Sequence, residues 1–411
     1  MNIQDHSLER QLEIFCHGTE EVISKDELKQ KLEAAIKNNR PLRLKLGLDP
    51  SAPDIHLGHT VVLRKLKVLQ ELGHHVIIII GDFTGRIGDP TGRSETRKPL
   101  TEQEILKNAE TYKSQIFKIL HPEKTEIRFN SEWLAKLNFA DVIDLSAQVT
   151  VARMLEREDF NWRYKNNKSI SLHEFFYPLM QGYDSVFLEA DVEFGATEQK
   201  FNLLMGRQLQ KEKGQPSQVA LMLPILVGLD GEKKMSKSLG NYIGIEESPY
   251  DIYGKTMSIP DELIIKYFTL VTDYLPEDVE NVKQKLNQGA NPRDIKMKLA
   301  REIVTLYHDH NKAEEAEQQF LQVFQKRQLP DDIPEFSIEE LLESQPQNNL
   351  NIVQLLRGCK LVESNSEARR MVKQGAVKID GDKVSDIEEQ ITLEQGIVIQ
   401  VGKRRFAKLT R

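Results

Sequence analysis

Two short apolar runs, Leu42 to Leu48 and Val76 to Ile80, stand on either side of a stretch whose Val62, Leu66 and Leu69 fall on one helical face. Strands that are apolar on both faces must be buried on both, which is the pattern of a parallel strand-helix-strand unit. A further short strand, Glu126 to Phe129, and the run Ala220 to Val227 complete the expected fold, an α/β, doubly wound, Rossmann-like parallel sheet. Ligands in such sheets sit at the carboxyl ends of the strands. Residues 1 to 40 read as helical and charged, with Ser24-x-x-Glu27 in the form of a capping box, and Thr101-x-x-Glu104 opens another helix through Leu106, Ala109, Tyr112 and Ile116.

Two strings occupy the exits of strands in this scheme. His56-Leu57-Gly58-His59 follows the first strand and the turn-rich Asp49 to Asp54, and opens the helix. Amide N–H groups and the positive helix end would face a ligand there, with two imidazoles beside them to donate hydrogen bonds, a place suited to a triphosphate. Lys234-Met235-Ser236-Lys237-Ser238 follows the last run, flanked by Gly231 and Gly240, so two ammonium groups ride on a mobile loop able to close on a leaving pyrophosphate. Taken singly, the first is more often a turn with a satisfied histidine and the second a solvated loop. In this order they describe a site for adenylate chemistry.

A chain of 411 residues is too long for one core and suits two or three domains. The net charge of −7 announces no nucleic acid for the chain as a whole, yet residues 350 to 411 carry 12 Lys/Arg against 8 Asp/Glu, a local +4. That tail could meet RNA phosphates. Cys16 and Cys359 are the only cysteines, which suggests neither a disulfide framework nor a zinc site. The N-terminus is polar and the longest aliphatic run, Val76 to Ile80, is far too short to span a membrane, so a cytoplasmic protein is expected.

The domains expected are 1–245 for the sheet, 246–327 all-helical, a Pro/Gln-rich linker at 328–349 and a small α+β domain at 350–411. In the last, helix, helix and an Asp380-Gly381 hairpin place Arg369, Arg370 and Lys373 together, in the order of a small αL-type RNA-binding module; a solvated basic helix is the plainer alternative. Tyr177, Gln181 and Asp184 stand at i, i+4 and i+7, so one helix face presents a phenol, an amide and a carboxylate. That face is either a polar surface stripe or a pocket wall.

The two strings resemble the paired signatures of class I aminoacyl-tRNA synthetases, with His-Leu-Gly-His in place of the commoner His-Ile-Gly-His. Tyr177 to Asp184, Gly81 to Pro90 and Phe194 to Gln199 are similar, in the right order, to three blocks of the bacterial tyrosyl-tRNA synthetases, and the RNA-binding tail argues against the tryptophanyl relatives. The resemblance implies that His56, His59, Lys234 and Lys237 act on the ATP phosphates. It also implies that Asp184 accepts from a tyrosine phenol, that Tyr177, Gln181 and Asp89 hold the α-ammonium group, and that Gln199 lines the same pocket. Gly47, Asp49, Gly58, Gly195, Glu198, Met235 and Ser236 would line the ATP site. Arg369, Arg370 and Lys373 would contact tRNA. A buried carboxylate built to bond a hydroxyl is left unpaired by phenylalanine, and tyrosine against phenylalanine in this family is the standing illustration of that rule.

Two departures qualify the carry-over. Gly195-Ala196-Thr197-Glu198-Gln199 replaces the usual Gly-Gly-Ser/Thr-Asp-Gln, so a longer Glu198 stands where the adenylate ribose is expected. Lys45 stands where many members have a tyrosine for the phenol. The reaction implied is tyrosine plus ATP giving tyrosyl-adenylate and pyrophosphate, then transfer to tRNA, with Mg²⁺ accompanying ATP and no dedicated metal cluster. The family also implies a homodimer through the inserted segment 125–185. A small-molecule adenylyltransferase would share His56 and His59 but have no reason for the tail. A non-catalytic RNA-binding paralogue would be expected to have lost some of the four basic side chains, and all four are present.

Overall fold

The computed structural model describes residues 3–50, 55–91, 101–325, 333–342, 349–402 and 405–410. Part of the turn before His56 (51–54) and parts of the expected linker (328–332 and 343–348) lie outside them. The chain forms two compact units, Met1–Ala313 and Glu314–Arg411.

The first unit is built on a six-stranded sheet of β1 (Glu21–Ile23), β2 (Arg43–Leu48), β3 (His75–Ile80), β4 (Thr125–Phe129), β5 (Val192–Ala196) and β6 (Val219–Leu223), in the spatial order β1-β6-β5-β2-β3-β4. All pairings are parallel except β1 with β6. Val76 to Ile80 are buried without a break, as expected for a strand covered on both faces. The chain winds outward from β2 to β4, then returns to lay β5 on the other side of β2. The switch point therefore falls between β2 and β5, where a crevice opens at their carboxyl ends.

Several elements depart from the sequence reading. The run Ala220 to Val227 is strand only to Leu223, because Pro224 has no amide N–H for the ladder. β5 has no apolar-run signature, since Glu193 and Gly195 interrupt it, and β1 is a three-residue strand within a region read as helical. Both expected capping boxes form, Ser24 with Glu27 and Thr101 with Glu104.

Helices at Pro249–Met257, Ile264–Val271, Pro276–Asn287, Pro292–Tyr307 and His310–Gln325 follow the sheet. The boundary drawn at residue 246 marks no break in packing. Arg64, on the helix Leu57–Glu71, pairs with Asp273 and donates from Nε to Tyr307 Oη at 3.2 Å, so a buried guanidinium ties the sheet layer to the helices.

In the second unit, β7 (Glu335–Ser337), β8 (Asn349–Asn351), β9 (Val377–Ile379), β10 (Asp382–Val384), β11 (Gln390–Thr392), β12 (Val398–Val401) and β13 (Arg405–Thr410) make a five-stranded sheet β10-β9-β12-β13-β7 and a two-stranded one, β11-β8. Helices Ile352–Gly358 and Asn365–Lys373 cover a core that includes Leu356, Val372 and Ile399. The Asp380-Gly381 turn closes β9 on β10 with φ of 47° and 93°, the two left-handed residues a tight hairpin requires. The expected linker is not merely a joint, because Glu335–Ser337 pairs in parallel with β13 and belongs to this sheet.

Candidate active site

His56 caps the helix Leu57–Glu71: its Nδ1 accepts from the Gly58 amide at 3.1 Å, and His59 Nδ1 accepts from the His56 amide at 3.3 Å. A ring nitrogen that accepts from an amide carries no proton, so each neutral imidazole holds its proton on Nε2. The amides of His56 and Gly58, expected to face the ligand, are thus used internally, and each ring keeps an Nε2–H donor. The two rings lie 3.9 Å apart. Burial, His59 and Lys237 bring His56 down to about 3. His59 is brought down to about 4, by the protein packed around its ring and by Lys237, although the residue keeps an exposed face. Both are neutral donors near neutral pH. A Cβ on Gly58 would stand 2.9 Å from the His56 ring, so only glycine allows this approach.

The second string comes to the same place. Leu57 N donates to Ile243 O at 2.9 Å, and His56 bridges to Gly244, bringing the segment after the loop alongside the helix start. The loop is shaped by Met235 N to Leu226 O at 2.8 Å, by Ser236 N to Asn241 Oδ1 at 2.8 Å, and by Asn241 Nδ2, which donates to Asp230 at 2.7 Å and to Lys234 O at 3.1 Å. Lys237 Nζ stands 5.8 Å from the centre of the Tyr242 ring, whose centre is 6.2 Å from that of His56. Lys234 Nζ reaches Glu198 at 3.4 Å. The residue expected at the ribose is thus paired with the loop. Gly195 packs closely on Gln199 and Leu203, and among the described residues nothing stands within 4 Å of where a Cβ on Gly47 would lie.

The other end of the crevice is buried. Tyr177, Gln181 and Asp184 project from the helix Phe176–Phe187, with Pro178 in its first turn. Asp184 is 3% exposed, and Trp133 Nε1–H donates to it at 2.8 Å and Asn130 Nδ2 at 3.4 Å. Burial raises its pKa to about 7; Lys45, Trp133 and Asn130 pull the other way. Tyr177 Oη donates to Asp49 at 2.8 Å, and burial followed by the charge of Asp49 holds this phenol well above its ordinary range. Asp89 accepts from Gln199 Nε2 at 2.6 Å, from the hydroxyl of Thr91 at 2.6 Å and from Arg157 at 3.3 Å. Trp133, Asn130, Arg157 and Glu193 had no signal in the sequence, being scattered among ordinary helix and strand positions. Arg369, Arg370 and Lys373 are exposed on the helix Asn365–Lys373 of the second unit.

A doubly wound sheet with a histidine-capped helix and a two-lysine loop at one crevice is the catalytic region of a class I aminoacyl-tRNA synthetase. Residues 37–325 match the family described as tRNA synthetases class I (W and Y), and 325–409 match the tyrosine–tRNA ligase SYY-like C-terminal domain. Tyrosine–tRNA ligase of Moorella thermoacetica is 59% identical over 98% of this chain and 97% of its own, and tyrosine–tRNA ligase 2 of Clostridium acetobutylicum is 57% identical over 98% and 99%. Among solved structures, tyrosyl-tRNA synthetase of Archaeoglobus fulgidus complexed with L-tyrosine superposes with a TM-score of 0.61 at 25% identity, covering 76% of this chain and all of that one. The truncated mitochondrial enzyme of Aspergillus nidulans, at TM-score 0.64 and 22% identity over 79% of this chain and 94% of its own, shares the fold. The chain belongs to the tyrosine–tRNA ligase family.

Proposed function

We propose that the chain activates L-tyrosine with ATP to tyrosyl-adenylate and pyrophosphate, then transfers the tyrosyl group to the 3′-terminal ribose of tRNA(Tyr), in the cytoplasm. The observation that carries the residue assignment is Asp184, a buried carboxylate on one helix face with Tyr177 and Gln181. Each carboxylate oxygen has two acceptor positions, so the bonds from Trp133 and Asn130 leave room for a phenol O–H. Phenylalanine leaves the acceptor position meant for the phenol unfilled in a buried carboxylate, which costs far more than a missing methylene. Tyr177, Gln181 and Asp89 hold the α-ammonium, with Gln199 beside Asp89.

Step one needs no general base. The substrate carboxylate is already an anion and attacks the α-phosphorus in line, so the protein contributes position and charge stabilisation. His56 and His59 offer Nε2–H groups to the phosphates without adding positive charge of their own. Lys234 and Lys237 offer mobile charge to the departing pyrophosphate. Gly47, Asp49, Gly58, Gly195, Met235 and Ser236 surround the nucleotide. Glu198, longer than the usual aspartate, pairs with Lys234 and stands at the position that the family pattern gives to the adenylate ribose. Mg²⁺ comes with ATP through the phosphates; among the described residues no group of three His, Cys, Asp or Glu is placed to hold a metal. Arg369, Arg370 and Lys373, which make no ion pair among the described residues, contact tRNA phosphates.

The homodimer is supported by where the exposed apolar side chains lie. Of the eight large hydrophobic residues that stand exposed among the described residues, seven fall between 139 and 187, with Phe139 at 80% and Leu172 at 78%. An apolar set of that density marks a protein interface. Among the described residues no helix is long and apolar enough to cross a membrane. Pyrophosphate exchange measured with each of the twenty amino acids tests the central assignment: tyrosine alone should support it, and equal exchange with phenylalanine would remove Asp184 from the pocket. Light scattering of Phe139→Asp tests the interface, and an unchanged mass would place it elsewhere.

A further inference from the structure

Lys45 on β2 and Glu193 on β5 are register partners across the parallel pair at the switch point, and both side chains are completely buried. Lys45 Nζ lies 2.9 Å from Glu193 Oε1 and donates to the Gln181 carbonyl oxygen at 2.8 Å and to Ser185 Oγ at 2.6 Å. An ammonium has three hydrogens, and three acceptors stand around this one. Lys45 therefore has no donor left for a substrate phenol and does not take the place of the tyrosine that many relatives carry there.

Its counterpart holds the same helix. Glu193 accepts from Gln181 Nε2 at 3.1 Å, from Ser185 Oγ at 3.1 Å and from Gln218 Nε2. Gln181 is gripped twice, by its backbone carbonyl through Lys45 and by its amide nitrogen through Glu193. Among the described residues nothing donates to its Oε1. The two ends of an amide have nearly the same shape and differ only in donating or accepting, so the partner of one end decides what the other presents. With the nitrogen tied to a carboxylate, the oxygen is the end left for a ligand. An ammonium, which can only donate, requires that end.

We propose that the buried Lys45–Glu193 pair is a positioning device for tyrosine recognition, fixing Gln181 so that its carbonyl oxygen meets the substrate's α-ammonium group. This rests on the assignment of Gln181 to that ammonium made above. Two apolar side chains of similar length would fill the same space and commonly stabilise a core as well as a buried ion pair does. They could not orient an amide.

The test replaces both charges at once, so that neither is left buried alone, in full-length Lys45→Met/Glu193→Met. Ser185 can then bond the Gln181 carbonyl one turn earlier, leaving the Gln181 amide free to rotate. Binding is measured by calorimetry for tyrosinol, which keeps phenol and ammonium, and for 3-(4-hydroxyphenyl)propionate, which lacks the ammonium; melting temperature reports the fold. The expected result is a folded variant that binds tyrosinol roughly tenfold or more weakly and the desamino ligand within about twofold of wild type. A folded variant that binds tyrosinol like wild type, or loses both ligands equally, overturns the positioning role. So does a double variant that fails to fold, since the pair is then needed by the core itself. Gln181→Ala separates the underlying assignment: if it leaves tyrosinol binding unchanged, Gln181 does not meet the ammonium. If Gln181→Ala weakens tyrosinol and the double variant does not, the assignment stands and only the role of the pair fails.

Discussion

At the proposed tyrosine end of the crevice Asp184, Lys45 and Glu193 are buried and each is held by two or more fixed partners, whereas at the proposed nucleotide end Lys234 and Lys237 sit on a loop shaped by backbone bonds and the side chain of Asn241. The Lys234–Glu198 contact, at 3.4 Å, joins two side chains that are both more than a third exposed. A charge taken out of water must be matched in place by the protein, and the matching makes the site rigid and selective. A phosphate chain brings its own charge and changes shape as pyrophosphate leaves, so cations that move with it are better placed than cations locked to a carboxylate. Selectivity and turnover are therefore proposed for opposite ends of one crevice.

The largest effect should come from the proposed nucleotide end. Lys237→Ala is expected to slow tyrosyl-adenylate formation in single turnover by about 10²- to 10³-fold while tyrosine affinity stays within roughly threefold. A comparable loss of tyrosine affinity would erase the contrast between the two ends. Next, Asp184→Asn should cost tyrosine about 10²-fold in exchange efficiency and phenylalanine little, narrowing their ratio. The same carboxylate gives a pH signature. Burial raises Asp184 to about 7 against the pull of Lys45, Trp133 and Asn130, so in the free enzyme its ionised fraction falls as pH drops below that value. The efficiency for tyrosine should then be flat above pH 7 and fall about tenfold per unit below it. Asp184→Asn should remove this acid limb, and a limb that survives belongs to another group.

A smaller division separates the two units. Because Glu335–Ser337 is paired with β13, a clean truncation ends at Gln325 rather than within the Pro/Gln-rich stretch. That chain should keep tyrosine-dependent exchange and charge tRNA at least about tenfold less efficiently at moderate salt. Arg369→Ala in the full chain should reduce the salt slope of tRNA binding by about 1. Loss of exchange and charging together in a folded truncation would show that the tail serves the sheet. The smallest effect is expected for Glu198→Gln, which removes an exposed pair worth at most about 1 kcal/mol and so should change ATP affinity only a few-fold. A change as large as that of Lys237→Ala would make Glu198 part of the fixed machinery.

Much of the frame was legible because it repeats with the period of its own elements. Val76 to Ile80 could be only a buried strand, two Ser/Thr-x-x-Glu strings formed the caps they spell, and Asp380-Gly381 closed the hairpin it predicts. β5 was illegible for the opposite reason. Its Glu193 breaks the apolar run and is tolerated inside only because Lys45, 148 positions earlier in the chain, is its neighbour across the sheet. The cap on the histidine helix was half legible: the histidines were expected to join amides in facing the ligand, and they instead take up two of those amides with Nδ1.

By itself the sequence determined four of the six strands of the sheet, the two signatures at its strand ends and the helix face of Tyr177, Gln181 and Asp184, because each is a local pattern of side-chain type at fixed spacing. Which partners those residues meet was decided only by the tertiary structure. Trp133 and Asn130 reach Asp184 from about fifty residues away in the chain, and Lys45 reaches Gln181 across 136. Buried polar groups must find partners wherever folding places them, and that placement follows from the winding of the whole sheet and is written in no single stretch of chain.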